Sequence, residues 1–241
     1  MSGPAGRLLG QVVGLLAAVL VSGPRLVTEW AALAGRRGSL RVLRVCVVVQ
    51  RDEHGVPVAE AGDVQDALAW ASGVFRTQAG VCLVPEGWAP GEELGVPADD
   101  PRFVTVADEI SGPPTLDVTC TVRSWLADLG ASGKGFRQLV RAAGGRGLPG
   151  YGTPVWVLAV RSFTSRHLGC SLGPLTDHVT VRFAGERTTL AHELGHACGL
   201  WHTRPGTLMD RRSSRSPRLA SWQAWMVRAS RHVLAATSTA T

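Results

Sequence analysis

The sequence predicts an α/β (α+β) fold built on a mostly parallel sheet, and three observations carry that expectation. Residues 40–50, LRVLRVCVVVQ, form a β-branched run of strand length, apolar on both faces toward its end. Residues 63–79 place Val64, Ala67, Leu68, Ala71, Val74 and Phe75 at helical spacing behind Asp63, a predicted N-cap. Gly80 ends that pattern, and VCLVP starts a second strand at Val81. Strand, helix and strand within about 45 residues make a βαβ unit, which implies parallel strands and a right-handed crossover.

The remaining elements follow in order. PRFVTVAD (101–108) reads as a strand or a loop extension. Residues 117–143 hold two shorter helical patterns, around Trp125 and from Phe136 to Arg141, split by Gly130 and Gly133. PVWVLAV (154–160) and DHVTVRF (177–183) are the next strands. Between them His167 to Pro174 is loop-like, with room for a short edge strand. A terminal helix is predicted from about Pro217, with Leu219, Trp222, Met226, Ala229 and Val233 on one face. Trp70, Trp125, Trp222 and Trp225, at helical spacings, read as core.

Composition narrows the function classes. Hydrophobic residues are 45% and charged residues 18% of 241, enough to bury a core and too ordered a balance for a disordered chain. The 25 basic residues exceed the 19 acidic ones by six. After His202 stand seven Arg against the single acid Asp210, so the other 18 bases and 18 acids cancel and the excess is a C-terminal feature. With no zinc-finger spacing or aromatic–basic strand pattern beside it, that excess does not make a nucleic-acid partner expected.

At the N-terminus one Arg precedes Leu8–Val21, 14 residues with Gln11 as the only polar member. That length suits a signal-peptide core and falls short of the roughly 20 residues of a bilayer span. The alternative is an apolar helix packed on the domain. Residues 1–37 are therefore read as an N-terminal segment, a signal, an anchor with membrane contact through residues 8–21, or a short pro-segment. Residues 38–241 are read as the single folded domain that carries the motif described next, beyond the Gly35-Arg36-Arg37-Gly38 boundary. The expected product is secreted or membrane-anchored and monomeric, with a cytoplasmic location as the alternative. The five cysteines, Cys46, Cys82, Cys120, Cys170 and Cys198, have no CxxC spacing. If the protein is exported, a bridge from Cys170 to Cys198 would steady the loop beside the helix described next.

Residues 192–202 read HELGHACGLWH. His192 and His196, four apart, share one face of a helix and can chelate a single ion. Glu193 points to the adjacent side, suited to holding a water beside that ion. Gly199 can take the left-handed conformation that ends a helix, and the turn brings His202 back as a third nitrogen ligand. Three protein ligands with an open fourth position are what catalytic zinc needs. At this protein's residue frequencies the pattern is expected by chance about 2–3 times in 10⁵ such chains.

HELGHACGLWH, followed by Gly206-Thr207-Leu208-Met209, resembles the metzincin clan of zinc metallopeptidases, with its extended HExxHxxGxxH motif and downstream Met-turn. The resemblance covers the order of elements from about Leu40 to Ala235. It implies a twisted mixed sheet with backing helices, an active-site helix and a small C-terminal subdomain closed by a terminal helix. It implies Zn²⁺ on His192, His196 and His202, Glu193 as general base and then acid, Gly199 and Met209 as structural support, and a protein or peptide substrate. Thr203 departs from the residues better-known families place after the third His, and no cysteine switch precedes the domain. The family within the clan is open. The competing reading is a catalytically silent, zinc-stabilised binding protein.

Weaker signals lie around this core. His167, Asp177 and His178 can be drawn as a second metal site or as plain loop and strand-end residues. Thr188 or Thr189 is a candidate N-cap for the motif helix. Trp201 reads as packing beneath the metal or as a substrate contact, Asp210 as a hydrogen-bonding member of the Met-turn or as a merely exposed residue. Arg204, Arg211, Arg212 and Arg215 flank the region that shapes the primed-side pocket in metzincins; they can favour acidic substrates or simply be solvated.

Overall fold

The computed structural model describes residues 20, 22–23, 25–29, 39–106, 116–120, 139–141, 152–184, 186–211 and 215–236. The β-branched run forms β1 (Arg41–Val49), the helical pattern α1 (Ala61–Ala79) and VCLVP β2 (Val81–Pro85). β1 and β2 are parallel, in register from Arg41 opposite Val81 to Val45 opposite Pro85. Gly80 ends α1 with φ 63°, a left-handed conformation that costs glycine little. Asp63 is not the N-cap: the helix starts earlier, behind Glu60, and Asp63 lies in its first turn, where a carboxylate faces the positive end of the dipole.

Pro101–Phe103 makes a turn of 3₁₀ helix that leads into β3 (Val104–Val106), parallel to the far half of β1. β4 (Asp117–Val118) pairs with β6 (Ser162–Phe163) in a small second sheet. β5 (Val155–Ala159) runs parallel to β1 on its other side, and β8 (His178–Val181) parallel to β5. β7 (Gly169–Ser171) is the edge strand left open by the sequence, antiparallel to β8. The main sheet reads β2-β1-β5-β8-β7, mostly parallel. Of the expected helical stretch 117–143, the start is not helical, since 117–118 are strand β4, and 139–141 are helical; residues 121–138 and 142–143, Trp125 among them, lie outside the described residues.

Alternation along β1 shows why so many β-branched residues were needed. Leu43, Val45, Val47 and Val49 face a core shared with the helices, while Cys46 and Val48 face Leu139, Val140, Trp156 and Leu158 on the opposite side. A strand covered on both faces has no polar face. The larger core takes the predicted stripe of α1, and Leu68 and Phe75 are almost wholly enclosed. Each such side chain contributes about 1.5–3 kcal/mol by leaving water.

The C-terminal helix is shorter than its pattern. α3 covers Ser221–Ala229, and Val233 belongs instead to β9 (Val233–Ala235), antiparallel to the start of β1. Trp222, read from the sequence as core, is 38% exposed; it stacks on Trp201 at 4.9 Å between ring centroids. Trp225 donates from Nε1 to the Leu26 carbonyl at 2.9 Å, and Arg25 donates to the Ser230 carbonyl at 2.8 Å. Residues 25–29 are thus helical and docked on α3. Glu29, buried, pairs with both Arg41 and Arg228. Among the described residues no helix is long and apolar enough to cross a membrane.

Candidate metal centre

The motif helix is α2 (Thr188–Ala197), reached from the end of β8. Leu190, Ala191, Leu194 and Ala197 bury its inner face in the main core. Neither threonine caps it: Arg187 precedes the first turn without a side-chain cap bond, Thr188 bonds to Glu186, and Thr189 accepts from Arg215. The helix ends where the sequence requires. The amide of Cys198 donates to the Leu194 carbonyl, and Gly199 takes φ 91°. Leu200 N then donates back to Gly195 O at 2.9 Å, which folds the chain toward the helix and returns His202 to the first two histidines.

The three Nε2 atoms converge. His192 and His196 are 3.1 Å apart, His196 and His202 3.2 Å, His192 and His202 3.3 Å. Among the described residues this is the group of histidines, cysteines and carboxylates that can hold a metal ion. His192 donates from Nδ1 to the Leu208 carbonyl at 2.8 Å, and His196 from Nδ1 to the Leu200 carbonyl at 2.7 Å. A carbonyl can only accept, so the proton of each neutral ring is on Nδ1 and each Nε2 carries a lone pair. Two lone pairs 3.1 Å apart repel; the contact is no hydrogen bond between neutral rings. A cation at the centre removes that conflict. Tetrahedral ligation at about 2.0–2.1 Å puts nitrogens about 3.3 Å from one another, so the donor set fits a metal. The two carbonyls supply the outer bonds that fix ring orientation at such sites.

Burial keeps the rings neutral. Desolvation, reinforced by the charges of Arg211 and Arg215, pulls His196 down to about 4. Desolvation, with His196 and the same arginines, pulls His202 down to about 3, and His192 is depressed further still. Away from the site, burial and the neighbouring Arg231 hold His232 at about 3. Each of these groups has a folded value below its unfolded one, so its stability contribution is present above about pH 6.5 and is lost as the pH falls. Four such imidazoles outnumber the two carboxyls raised by burial, Glu193 and Asp177. The Tm of the metal-free protein is therefore expected to drop steadily from pH 6.5 toward pH 4. A flat profile would show that the rings are not held neutral by burial.

The turn below the site packs against the motif helix. Met209 is fully buried, and its Sδ lies under the motif helix: a Cβ at Gly195 would sit 2.7 Å from it. Thr203 N donates to Met209 O at 3.0 Å, and the Thr203 and Thr207 hydroxyls are 2.8 Å apart. Asp210 accepts from Gly206 N at 3.2 Å, within the turn as expected. Thr203, next to the third histidine, thus ties it to the turn. An open cleft of about 350 Å³ beside the site is lined by His202, Thr203, Pro205, Asp210 and Arg211.

Glu193 is 4% exposed and lies against the backbone of Gly169 in β7. Burial raises its carboxyl to about 8 in the metal-free chain, opposed by the charge of Arg215. Arg215 is held by Asp210 O at 3.1 Å and Thr189 Oγ1 at 3.3 Å. The sequence named Arg215 only as a rim charge and missed Gly169 and Gly195; glycines in a strand and a helix interior were their sole signal.

The bridge from Cys170 to Cys198 is not formed. The disulfide joins Cys170 to Cys120, and Cys198 is a free buried thiol. Cys170 sits in the edge strand, beside the loop after β4, whereas Cys198 is locked in the core at the end of α2. His167, Asp177 and His178 do not converge: His167 is exposed and bonds to Ser165, while Asp177 is buried against Arg231. Trp201 is half-buried against the core, and Arg212 lies outside the described residues.

No protein-family model matches this chain, and no curated protein matches it. Fold and site together define a mixed α/β protein whose mostly parallel sheet carries a three-histidine group able to hold a metal ion.

Proposed function

We propose that the protein is a zinc-dependent endopeptidase of the metzincin type, exported or held at a membrane through its N-terminal segment, acting on protein or peptide substrates. The observation that carries the reading is the convergence of three Nε2 atoms, with Glu193 next to the first of the three histidines on the same helix. Imidazole suits several transition metals, and three neutral nitrogens with an open fourth position are the donor set of catalytic zinc. When bound, zinc supplies a water whose pKa is lowered to about 7 and a Lewis acid for the peptide carbonyl. Glu193 takes the proton of the attacking water on a carboxylate oxygen and passes it to the leaving amine. His192, His196 and His202 stay neutral. Leu208 and Leu200 keep the first two rings turned with Nε2 inward. The cleft beside His202 gives substrate a place to lie next to the site.

The test is zinc stoichiometry paired with cleavage of a random peptide library, with and without a chelator. One zinc per chain and chelator-sensitive cleavage are expected, and His202→Ala is expected to lower zinc affinity by at least about 10²-fold. A chain that binds no transition metal overturns the reading. One that binds zinc and cleaves nothing supports the silent binding protein instead.

A further inference from the structure

Gly169 is the first residue of the edge strand β7 and lies over the motif helix. A Cβ placed on it would be 2.5 Å from Glu193 Oε1, 2.6 Å from Cγ and 2.8 Å from Cδ. Atoms of that kind do not approach so closely, so any side chain at 169 and the present position of Glu193 exclude each other. The backbone gives no other reason for glycine. Gly169 is extended in a strand and is not among the glycines with positive φ. Space is the reason.

The strand that makes this ceiling is tied down on both sides. Gly169 pairs with Val181, Arg182 N donates to Leu168 O at 2.8 Å, and Thr180 Oγ1 donates to Cys170 O at 3.2 Å. Cys170 is bonded to Cys120 in the neighbouring loop. Below it, α2 is fixed by its packed core face. No donor among the described residues reaches the Glu193 carboxylate; burial and the charge of Arg215 alone act on it. The carboxylate is therefore placed by shape, which leaves its oxygens free for a proton in transit.

We propose that Gly169 is a positioning residue for the general base: the side chain it lacks is the space in which the Glu193 carboxylate is held. The proposal rests on the reading of Glu193 as the base. It predicts that the pair, and not either residue alone, sets the turnover number.

The experiment is a double-mutant cycle on the full chain with Gly169→Ala, Glu193→Asp and the two combined. Gly169→Ala is expected to keep one zinc per chain, to lower kcat about 10²-fold by displacing the carboxylate, and to change KM less than about 3-fold. Glu193→Asp alone also lowers kcat. In the double variant the carboxylate is one methylene shorter and the new methyl has room, so kcat exceeds the product of the single effects by at least about 10-fold. The metal-free proteins give a second readout: Gly169→Ala lowers Tm, and adding Glu193→Asp restores most of the loss. Should Gly169→Ala fail to fold, folding of the double variant is the same rescue, and failure of both overturns the proposal. Wild-type turnover in Gly169→Ala, or effects that simply multiply, also overturns it. If wild-type protein binds zinc but cleaves no peptide, the endopeptidase reading falls and the role assigned to Gly169 in catalysis falls with it. If it cleaves peptides and the cycle shows no coupling, only the proposal for Gly169 falls.

Discussion

Glu193→Gln is expected to keep zinc and to lose about 10²–10⁴-fold in kcat, because an amide cannot take the proton of the attacking water. The same substitution is expected to make the metal-free protein more stable near pH 7–8. Burial raises the Glu193 carboxyl to about 8, above its unfolded value near 4.5. A group raised in this way contributes its stability fully below the unfolded value and loses it as the pH rises through the folded one. At neutral pH the fold is already giving up part of that contribution, and a neutral isostere does not. The expected gain in Tm is about 3–8 °C, measured by thermal unfolding in chelator. Turnover unchanged from wild type would remove Glu193 from the chemistry. A lower Tm at pH 8 would show that its carboxylate is stabilised by partners rather than confined by shape.

Glu29→Ala is expected to cost about 3–5 kcal/mol, roughly 10 °C in Tm, although residue 29 is far in sequence from the site. Glu29 and Arg228 are both about 3% exposed, and their Nε–Oε2 distance is 3.1 Å. Arg228 also donates to the carbonyls of Ala79 and Ser39 at 3.0 and 2.9 Å. One guanidinium therefore gathers the end of α1, the chain entering β1 and α3, with Glu29 supplying the balancing charge. Removing the carboxylate leaves Arg228 buried with its charge uncompensated. Glu29→Gln keeps the shape and two acceptor lone pairs, and is expected to lose less. A Tm within 1 °C of wild type for Glu29→Ala, by the rule that a degree or two is about half a kcal/mol, would show that residues 25–29 do not hold the body together.

Which parts of this were legible in the residue order follows from the range of the forces involved. β1, α1, Gly80 and β2 are local statements: alternation, a 3.6-residue stripe and a left-handed stop are written within a few residues, and the structure has them where the pattern places them. Asp63 was misread by one turn because Ala61 and Gly62 carry no periodic signal, so the helix could begin before its apolar stripe. The terminal helix was read too long because Val233 fits a helical face and a strand equally well. Pairing with Leu43 in β1 decided for the strand, and that is a contact between residues nearly two hundred positions apart. Trp222 was assigned to the core on spacing alone, and only the position of Trp201 shows that the two rings stack at the surface.

The site divides in the same way. The spacing HELGHACGLWH was enough to bring His192, His196 and His202 to one point, because a helical turn and a left-handed glycine are local geometry. What holds the rings neutral and turned inward is not local: the Leu208 carbonyl reaches His192 from sixteen residues on, and Met209 fills the space under Gly195. The same is true of Cys170, which finds Cys120 and not Cys198, and of Gly169, whose missing side chain gives Glu193 its place. Sequence alone determined the donors, because ligand chemistry and helical pitch are properties of a few neighbouring residues. The tertiary structure alone decided burial, partners and steric exclusion, because those depend on which distant backbone comes to rest against each side chain.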